Sequence, residues 1–387
     1  MMRLKRLTLT EFRNYDRFVW RPAGLPVVLT GDNGSGKTNL LEALSLLTPG
    51  RGLRGAKTGD LRRRVADDVD PASGGWGVAA AFEDERGGFE IGVGQKPSQN
   101  GAREFLLNGA PARNRNAVTE YLSAVWLTPQ MDRLFGESAS GRRRFLDRLV
   151  VAVATHHARE LAACERATAQ RNRLLATMPG EDVWLSGLED AMARHGVSVA
   201  AARRDLVMRL NADGGSGSDD AFPAAVLKLV CPIAERLDVE PALAVEEWLR
   251  VRLRTARADD RRRGQAGFGA HRSDFGLSDR SSGRTASDAS TGQQKAMLIG
   301  LILAHARLMT ETGVVPPMLL LDEPLVHLDP VRREALMRAV LRFPAPILLT
   351  GTDRDPFAPL EGRAEFIRLA GGQIDSSFHE VGAPESA

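Results

Sequence analysis

The sequence predicts an α/β fold, a head built on a phosphate-binding loop with an antiparallel β subdomain and a helical second lobe. Three observations carry this. Residues 26–47 place an apolar strand, Pro26-Val27-Val28-Leu29-Thr30, before a Gly-rich turn and a helix with apolar spacing. A second apolar run, Met318-Leu319-Leu320-Leu321, ends in the paired carboxylates Asp322 and Glu323. From 141 to about 210 the apolar period becomes that of helices.

The turn reads Gly31-Asp32-Asn33-Gly34-Ser35-Gly36-Lys37-Thr38, followed by Asn39. Its glycines let consecutive backbone N–H groups curl around an anion, and the helix behind adds the partial positive charge of its N-terminus. Lys37 would reach the terminal phosphates, and the Thr38 hydroxyl would complete a Mg²⁺ shell. Residues 31–39 are therefore the expected nucleotide-binding set, with ATP and Mg²⁺ as cofactors.

At 387 residues the chain is long enough for a sizeable core and for two or three domains, or one large interrupted one. Its net charge is +3 and its pI about 9.1, with nearly all positive charge on arginine, which contacts phosphate bidentately. The two cysteines, Cys164 and Cys231, have no metal or redox spacing, and the seven histidines are scattered. Met1-Met2-Arg3-Leu4-Lys5-Arg6 leads into a strand pattern rather than an apolar signal core. The longest apolar run, 296–304, falls short of the roughly 20 residues a spanning helix needs. A cytoplasmic protein without a membrane partner is expected.

Taken in order, residues 4–20 alternate around Leu7, Leu9, Phe12, Phe18 and Trp20 about a polar turn, which predicts a hairpin. Arg51, Arg54, Lys57, Arg62, Arg63 and Arg64 then form a basic segment that is either solvated or in contact with a phosphate backbone. Short strands over 76–82, 89–93 and 104–107 make the antiparallel subdomain. The stretch 122–127 reads as a core strand that runs into Gln130, either a plain loop glutamine or a contact to Mg²⁺ or the lytic water. The helical stretch carries small residues inside and arginines outside. It breaks at Pro179-Gly180 and in a Gly/Ser-rich insertion over 211–220. Residues 248–254 alternate like a strand, and 269–274 show no period.

Ser290-Thr291-Gly292-Gln293 opens a second apolar helix. A hydroxyl, backbone N–H groups and a helix dipole at one point make an anion site, and an N-capping Ser before a buried helix has the same pattern. At the end of the 318–321 strand, Asp322 would hold Mg²⁺ and Glu323 would polarise the attacking water, with Lys37 the other catalytic candidate. Residues 346–353 are another core strand that delivers hydroxyls to the same edge.

Phosphate loop, Ser-x-Gly-Gln helix, Leu-Leu-Leu-Asp-Glu strand, Leu328-Asp329 and a final strand occur in an order that resembles the ABC-type ATPases. The resemblance implies that Ser290, Gly292 and Gln293 of one subunit cap the γ-phosphate held by the loop of another, so that ATP joins a homodimer and hydrolysis releases it. The nucleotide lobe is then expected over 1–126 and 296–387, with 127–295 forming a helical lobe that ends in the signature. Relative to transporter-type members, Thr350-Gly351-Thr352 stands where a histidine would be, which leaves γ-phosphate sensing to a threonine and predicts slow hydrolysis. The missing histidine and the long Arg-rich middle also weigh against the alternative, the ATPase subunit of a membrane transporter.

Phe12-Arg13-Asn14-Tyr15, the phosphate loop through Ala43, Arg143-Arg144-Phe145-Leu146-Asp147, His271-Arg272-Ser273-Asp274, Ser290 to Lys295 and Thr350-Gly351-Thr352 together resemble the RecF family of bacterial recombination and repair ATPases. The resemblance spans nearly the whole chain. It implies an ATP-dependent DNA-binding protein that dimerises on ATP and acts with RecR and RecO at single-strand gaps, where it assists recombinase loading, replication restart and the SOS response. Clustered arginines without an aromatic stacking set favour contact with DNA phosphates over base readout.

Overall fold

The computed structural model describes residues 2–23, 26–63, 75–96, 103–213, 222, 224–313, 315–375 and 380–381. Arg64 of the basic segment and residues 214–220 of the expected insertion lie outside the described residues.

Strands β1 (Arg3–Phe12), β2 (Tyr15–Trp20) and β3 (Val27–Thr30) lead to helix α1 (Lys37–Leu46). Strands β4 (Trp76–Asp84), β5 (Gly87–Gln95), β6 (Glu104–Leu107), β7 (Ala110–Pro111) and β8 (Ala124–Leu127) precede helices α2 (Ala139–Val153), α3 (His157–Thr177) and α4 (Asp182–Asp213). Then come β9 (Ala225–Val230), α5 (Pro232–Leu237), α6 (Ala242–Thr255), α7 (Arg257–Arg263), β10 (Asp274–Asp279) and α8 (Thr291–Glu311). The chain returns through β11 (Met318–Leu321), α9 (Pro330–Arg342), β12 (Ile347–Thr350), β13 (Glu365–Ala370), β14 (Gln373–Ile374) and β15 (Glu380–Val381). These elements form two compact units, one of residues 1–132, 219–222 and 309–387, the other of 133–218 and 223–308.

The first unit holds two sheets. One is antiparallel in the order β2-β1-β4-β5-β6-β7, and its register sets Leu7 against Ala80 and Leu9 against Val78. The other runs β14-β13-β3-β12-β11-β8, with parallel pairing from β13 to β8. All four residues of β3, β11 and β12 are buried, which is why these stretches are continuously apolar: a parallel strand covered on both faces has no solvent side to mark by alternation. Leu40, Leu41 and Leu44 of α1 share one core with Leu7, Leu9 and Val78 of the first sheet and Leu320 and Leu348 of the second.

The second unit is helical, and it adds a two-stranded antiparallel sheet, β9 with β10, that the sequence pattern did not announce. The expected strand at 248–254 is instead helical within α6. Val245, Leu249 and Leu253 recur at four-residue spacing and are buried, while the interleaved Arg250, Arg252 and Arg254 created the apparent alternation. The break expected from 211 also moves. Asn211 stays helical, and its amide clamps β9, donating to Leu227 O at 2.8 Å and accepting from Leu227 N at 2.9 Å.

Arginines were expected on the outside, yet Arg171 and Arg203 are fully buried. Each is matched donor by donor. Arg171 bonds Glu189 Oε1 at 3.0 Å, Asp260 Oδ2 at 2.7 Å and Leu253 O at 2.6 Å. Arg203 grips both oxygens of Asp147, at 2.7 and 2.8 Å, and donates to Ala270 O at 2.7 Å. His157 Nε2 lies 2.9 Å from Asp147 Oδ1. Burial pushes the Asp147 carboxyl up, but the bonds from His157 and Arg203 outweigh it and hold the group below the usual carboxylate range.

Two outcomes follow for the stability of the chain. Asp147→Asn leaves the Arg203 guanidinium buried without its anion, and urea unfolding should show a loss of about 3–5 kcal/mol. His305 is fully buried, with Nε2 2.9 Å from Leu149 O, and burial drops its pKa from 6.5 to about 4. Between those two values the unfolded chain takes up a proton that the folded chain refuses. Stability should therefore fall by on the order of 3 kcal/mol as pH drops through that window. His305→Asn should flatten this part of the Tm-versus-pH curve.

Candidate functional site

The phosphate loop leaves β3 with left-handed backbone at Gly31 (φ +135°), Gly34 (+85°) and Gly36 (+111°). Two of these positions are closed to a side chain by contact as well. A Cβ on Gly31 would stand 2.3 Å from the backbone oxygen of Leu369 in β13, and one on Gly36 would stand 2.4 Å from Tyr15 Oη.

Tyr15 is buried at the start of β2, and its hydroxyl donates to Gly36 O at 3.1 Å. Burial pushes the phenol well above its ordinary pKa, so it remains a donor. Asn39 Nδ2 donates to Asn14 Oδ1 at 2.7 Å, and Gly372 N donates to Ser35 O at 3.2 Å. The loop is therefore held by the β1–β2 turn and by the β13–β14 turn together. Beneath it, Arg13 grips the buried carboxylate of Glu42 in α1 through two bonds of 2.8 and 2.7 Å. Arg13, Tyr15 and Glu42 were not among the expected site residues. The only sequence signal for the first two was their place in the Phe12-Arg13-Asn14-Tyr15 motif.

Lys37 Nζ donates to Gly31 O at 2.5 Å and Asp32 O at 2.9 Å. Burial lowers its pKa, while the carboxylates of Glu323, Asp322 and Asp32 pull it back up. Ser35 Oγ is buried and has no hydrogen-bond partner among the described residues. An unmatched hydroxyl in a glycine-rich loop of this kind suits a bound phosphate oxygen.

The acidic pair meets this loop at the same sheet edge. Thr38 Oγ1 donates to Asp322 Oδ1 at 3.1 Å, so two of the three expected Mg²⁺ ligands already touch. Asp322 N donates to Leu127 O of β8 at 2.9 Å, and Glu323 follows with φ +49°. Gln130 is exposed in the turn that leaves β8, the strand next to β11. Of the two threonines where a histidine was looked for, Thr350 is buried with its hydroxyl 2.7 Å from Asp322 Oδ1, and Thr352 is exposed with its hydroxyl 2.8 Å from Asp353 Oδ2. Thr350 is thus committed to the acidic pair.

In the second unit, Ser290 and Gln293 form a reciprocal cap on α8. Gln293 N donates to Ser290 Oγ at 3.4 Å, and Ser290 N donates to Gln293 Oε1 at 3.1 Å. Ser290 is exposed and Gly292 half-buried, so this helix start is both capped and reachable from solvent.

Gly31→Ala should destabilise the chain more than Gly34→Ala. Both incur left-handed strain, but the Cβ at Gly34 meets open space and the one at Gly31 meets backbone. A difference of about 1–3 kcal/mol is expected in thermal unfolding.

The family profile described as RecF/RecN/SMC N terminal domain matches residues 3–343. The DNA replication and repair protein RecF of Mesorhizobium japonicum is 42% identical over 373 residues, 96% of this chain and 97% of its own. That of Rhizobium rhizogenes is 42% identical over 378 residues, 97% of this chain and 98% of its own. A solved structure of the recombination mediator protein RecF-ATPrS in the RecFOR pathway superposes with a TM-score of 0.82 at 22% identity, over 97% of this chain and 98% of that one. An SMC head domain from Pyrococcus furiosus bound to the C-terminal domain of ScpA gives 0.54 at 14% identity, over 97% and 96%. The fold is that of the ATPase heads of these proteins, and full-length identity above 40% carries the assignment further: the chain belongs to the RecF family.

Proposed function

We propose that the protein is an ATP-dependent DNA-binding switch of replication and repair. The observation that carries the reading is the 3.1 Å bond from Thr38 to Asp322, which joins a phosphate loop to an acidic pair in one unit. Residues 31–39 would hold the phosphates of ATP, with Lys37 on the terminal ones. Thr38 and Asp322 would hold Mg²⁺, and Gln130 stands at the exit of the neighbouring strand as a further candidate ligand. Bound Mg²⁺ would supply charge neutralisation at the phosphates. Glu323 would orient and polarise the attacking water.

The exposed, capped start of α8 supports a second role. Ser290, Gly292 and Gln293 of one subunit would complete the site of another, so that ATP assembles a homodimer and hydrolysis opens it. With Thr350 committed to Asp322, sensing of the γ-phosphate in place of a histidine would fall to the exposed Thr352, which supports slow turnover. DNA would be held through its phosphates by arginines, with affinity that falls steeply with salt. RecR and RecO are the protein partners implied by membership of the family, at single-strand gaps where a recombinase is loaded and the SOS response begins.

The test is the oligomeric state and duplex-DNA binding of the wild type, Lys37→Met and Glu323→Gln, each with and without ATP. Glu323→Gln should persist as an ATP-dependent, DNA-bound dimer, and Lys37→Met should stay monomeric and unbound. Equal DNA binding by all three as monomers would overturn the switch.

A further inference from the structure

The two carboxylates leave β11 where the sheet's own hydrogen bonds stop serving them. Asp322 still uses its N–H on β8, but Glu323 turns into the left-handed region and its N–H donates to a side chain, Thr350 Oγ1, at 2.9 Å. The same hydroxyl lies 2.7 Å from Asp322 Oδ1. Its polarity is settled by its partners: an amide can only donate, so the hydroxyl accepts from Glu323 and gives its one proton to Asp322. Thr350 has no solvent exposure, and the next residue anchors it, Gly351 N donating to Leu29 O of β3 at 3.0 Å.

Thr38 donates to the same oxygen of Asp322 that Thr350 does. Both hydroxyls therefore converge on Oδ1, and Oδ2 accepts nothing from the described residues. We propose that Thr350 is a positioning residue that aims both members of the acidic pair, fixing the Asp322 carboxylate through Oδ1 so that Oδ2 would be available to a divalent cation, and holding the Glu323 backbone in its strained turn. This rests on the reading of the loop as an ATP site. Removing the hydroxyl frees the Asp322 carboxylate to rotate. It also removes the acceptor of the Glu323 N–H at a position where the backbone is left-handed and strained.

The experiment uses the full chain with Thr350→Val, which keeps the shape and deletes the hydroxyl, Thr350→Ser, which keeps the hydroxyl, and Lys37→Met as control. Equilibrium binding of a fluorescent ATP analogue is titrated against Mg²⁺, beside steady-state hydrolysis and Tm. For Thr350→Val the Mg²⁺ needed for half-maximal binding should rise about tenfold and kcat should fall by at least about tenfold, as for the loss of a hydrogen bond to a charged group. Thr350→Ser should stay within about threefold of wild type on both. Wild-type Mg²⁺ dependence and kcat in Thr350→Val overturn the proposal whatever Tm does. So does a Thr350→Ser as impaired as Thr350→Val, because the methyl packing would then be what matters. If Thr350→Val does not fold, Thr350→Cys, with its weak thiol donor, takes its place under the same criteria. If Lys37→Met binds the analogue like wild type, the ATP-site reading fails on its own, independently of Thr350.

Discussion

The hydrogen bond from Thr38 to Asp322 joins residues 284 positions apart and depends on strand order. β3 carries the phosphate loop and β11 carries the acidic pair, but β12 lies between them. At about 4.8 Å per strand, the two carriers are separated by roughly 10 Å of backbone. Side chains close that gap. Thr38 reaches across from the first turn of α1, and Thr350 reaches up from the intervening strand. The parallel pairing of β3, β12 and β11 is what lets three strand ends meet at one edge, since an antiparallel neighbour would send its end to the opposite side of the sheet.

The loop itself is stiffened from outside. A Gly-rich turn has little conformational preference of its own, and a phosphate site needs its N–H groups aimed before the anion arrives. Here that order comes from neighbours: the Tyr15 hydroxyl on Gly36 O, the Gly372 N–H on Ser35 O, and the Leu369 carbonyl packed against Gly31. The antiparallel sheet thereby has a role in the site beyond covering α1, because its first hairpin supplies Arg13, Asn14 and Tyr15. Arg13 on the buried Glu42 fixes the helix that carries Lys37 and Thr38.

The second unit holds its helices by a different means. Two buried arginines tie α3 to α4 and α7, and α4 to α2, each through several matched bonds. Such pairs are an uncertain source of net stability, because desolvation offsets much of the Coulomb gain. They do penalise any packing that leaves a donor unmatched, and that penalty favours the helix register in which every donor of Arg171 and Arg203 is met.

The parts legible along the chain are those whose signal is local. A strand, a glycine turn and a helix declare a phosphate loop because the chemistry needs those residues at that spacing. The continuous apolar runs of β3, β11 and β12 declare strands covered on both faces. Local pattern failed where charge imitated period, as in α6, whose arginines alternate by chance over a four-residue apolar stripe. It failed again at Arg171 and Arg203, because residue type predicts exposure only until a partner is supplied from elsewhere in the chain. That Thr350 belongs to the acidic pair and Tyr15 to the loop emerges from the packing alone. Both are hydroxyls whose meaning lies in what they touch, and those contacts exist only after strands distant in sequence have been set side by side.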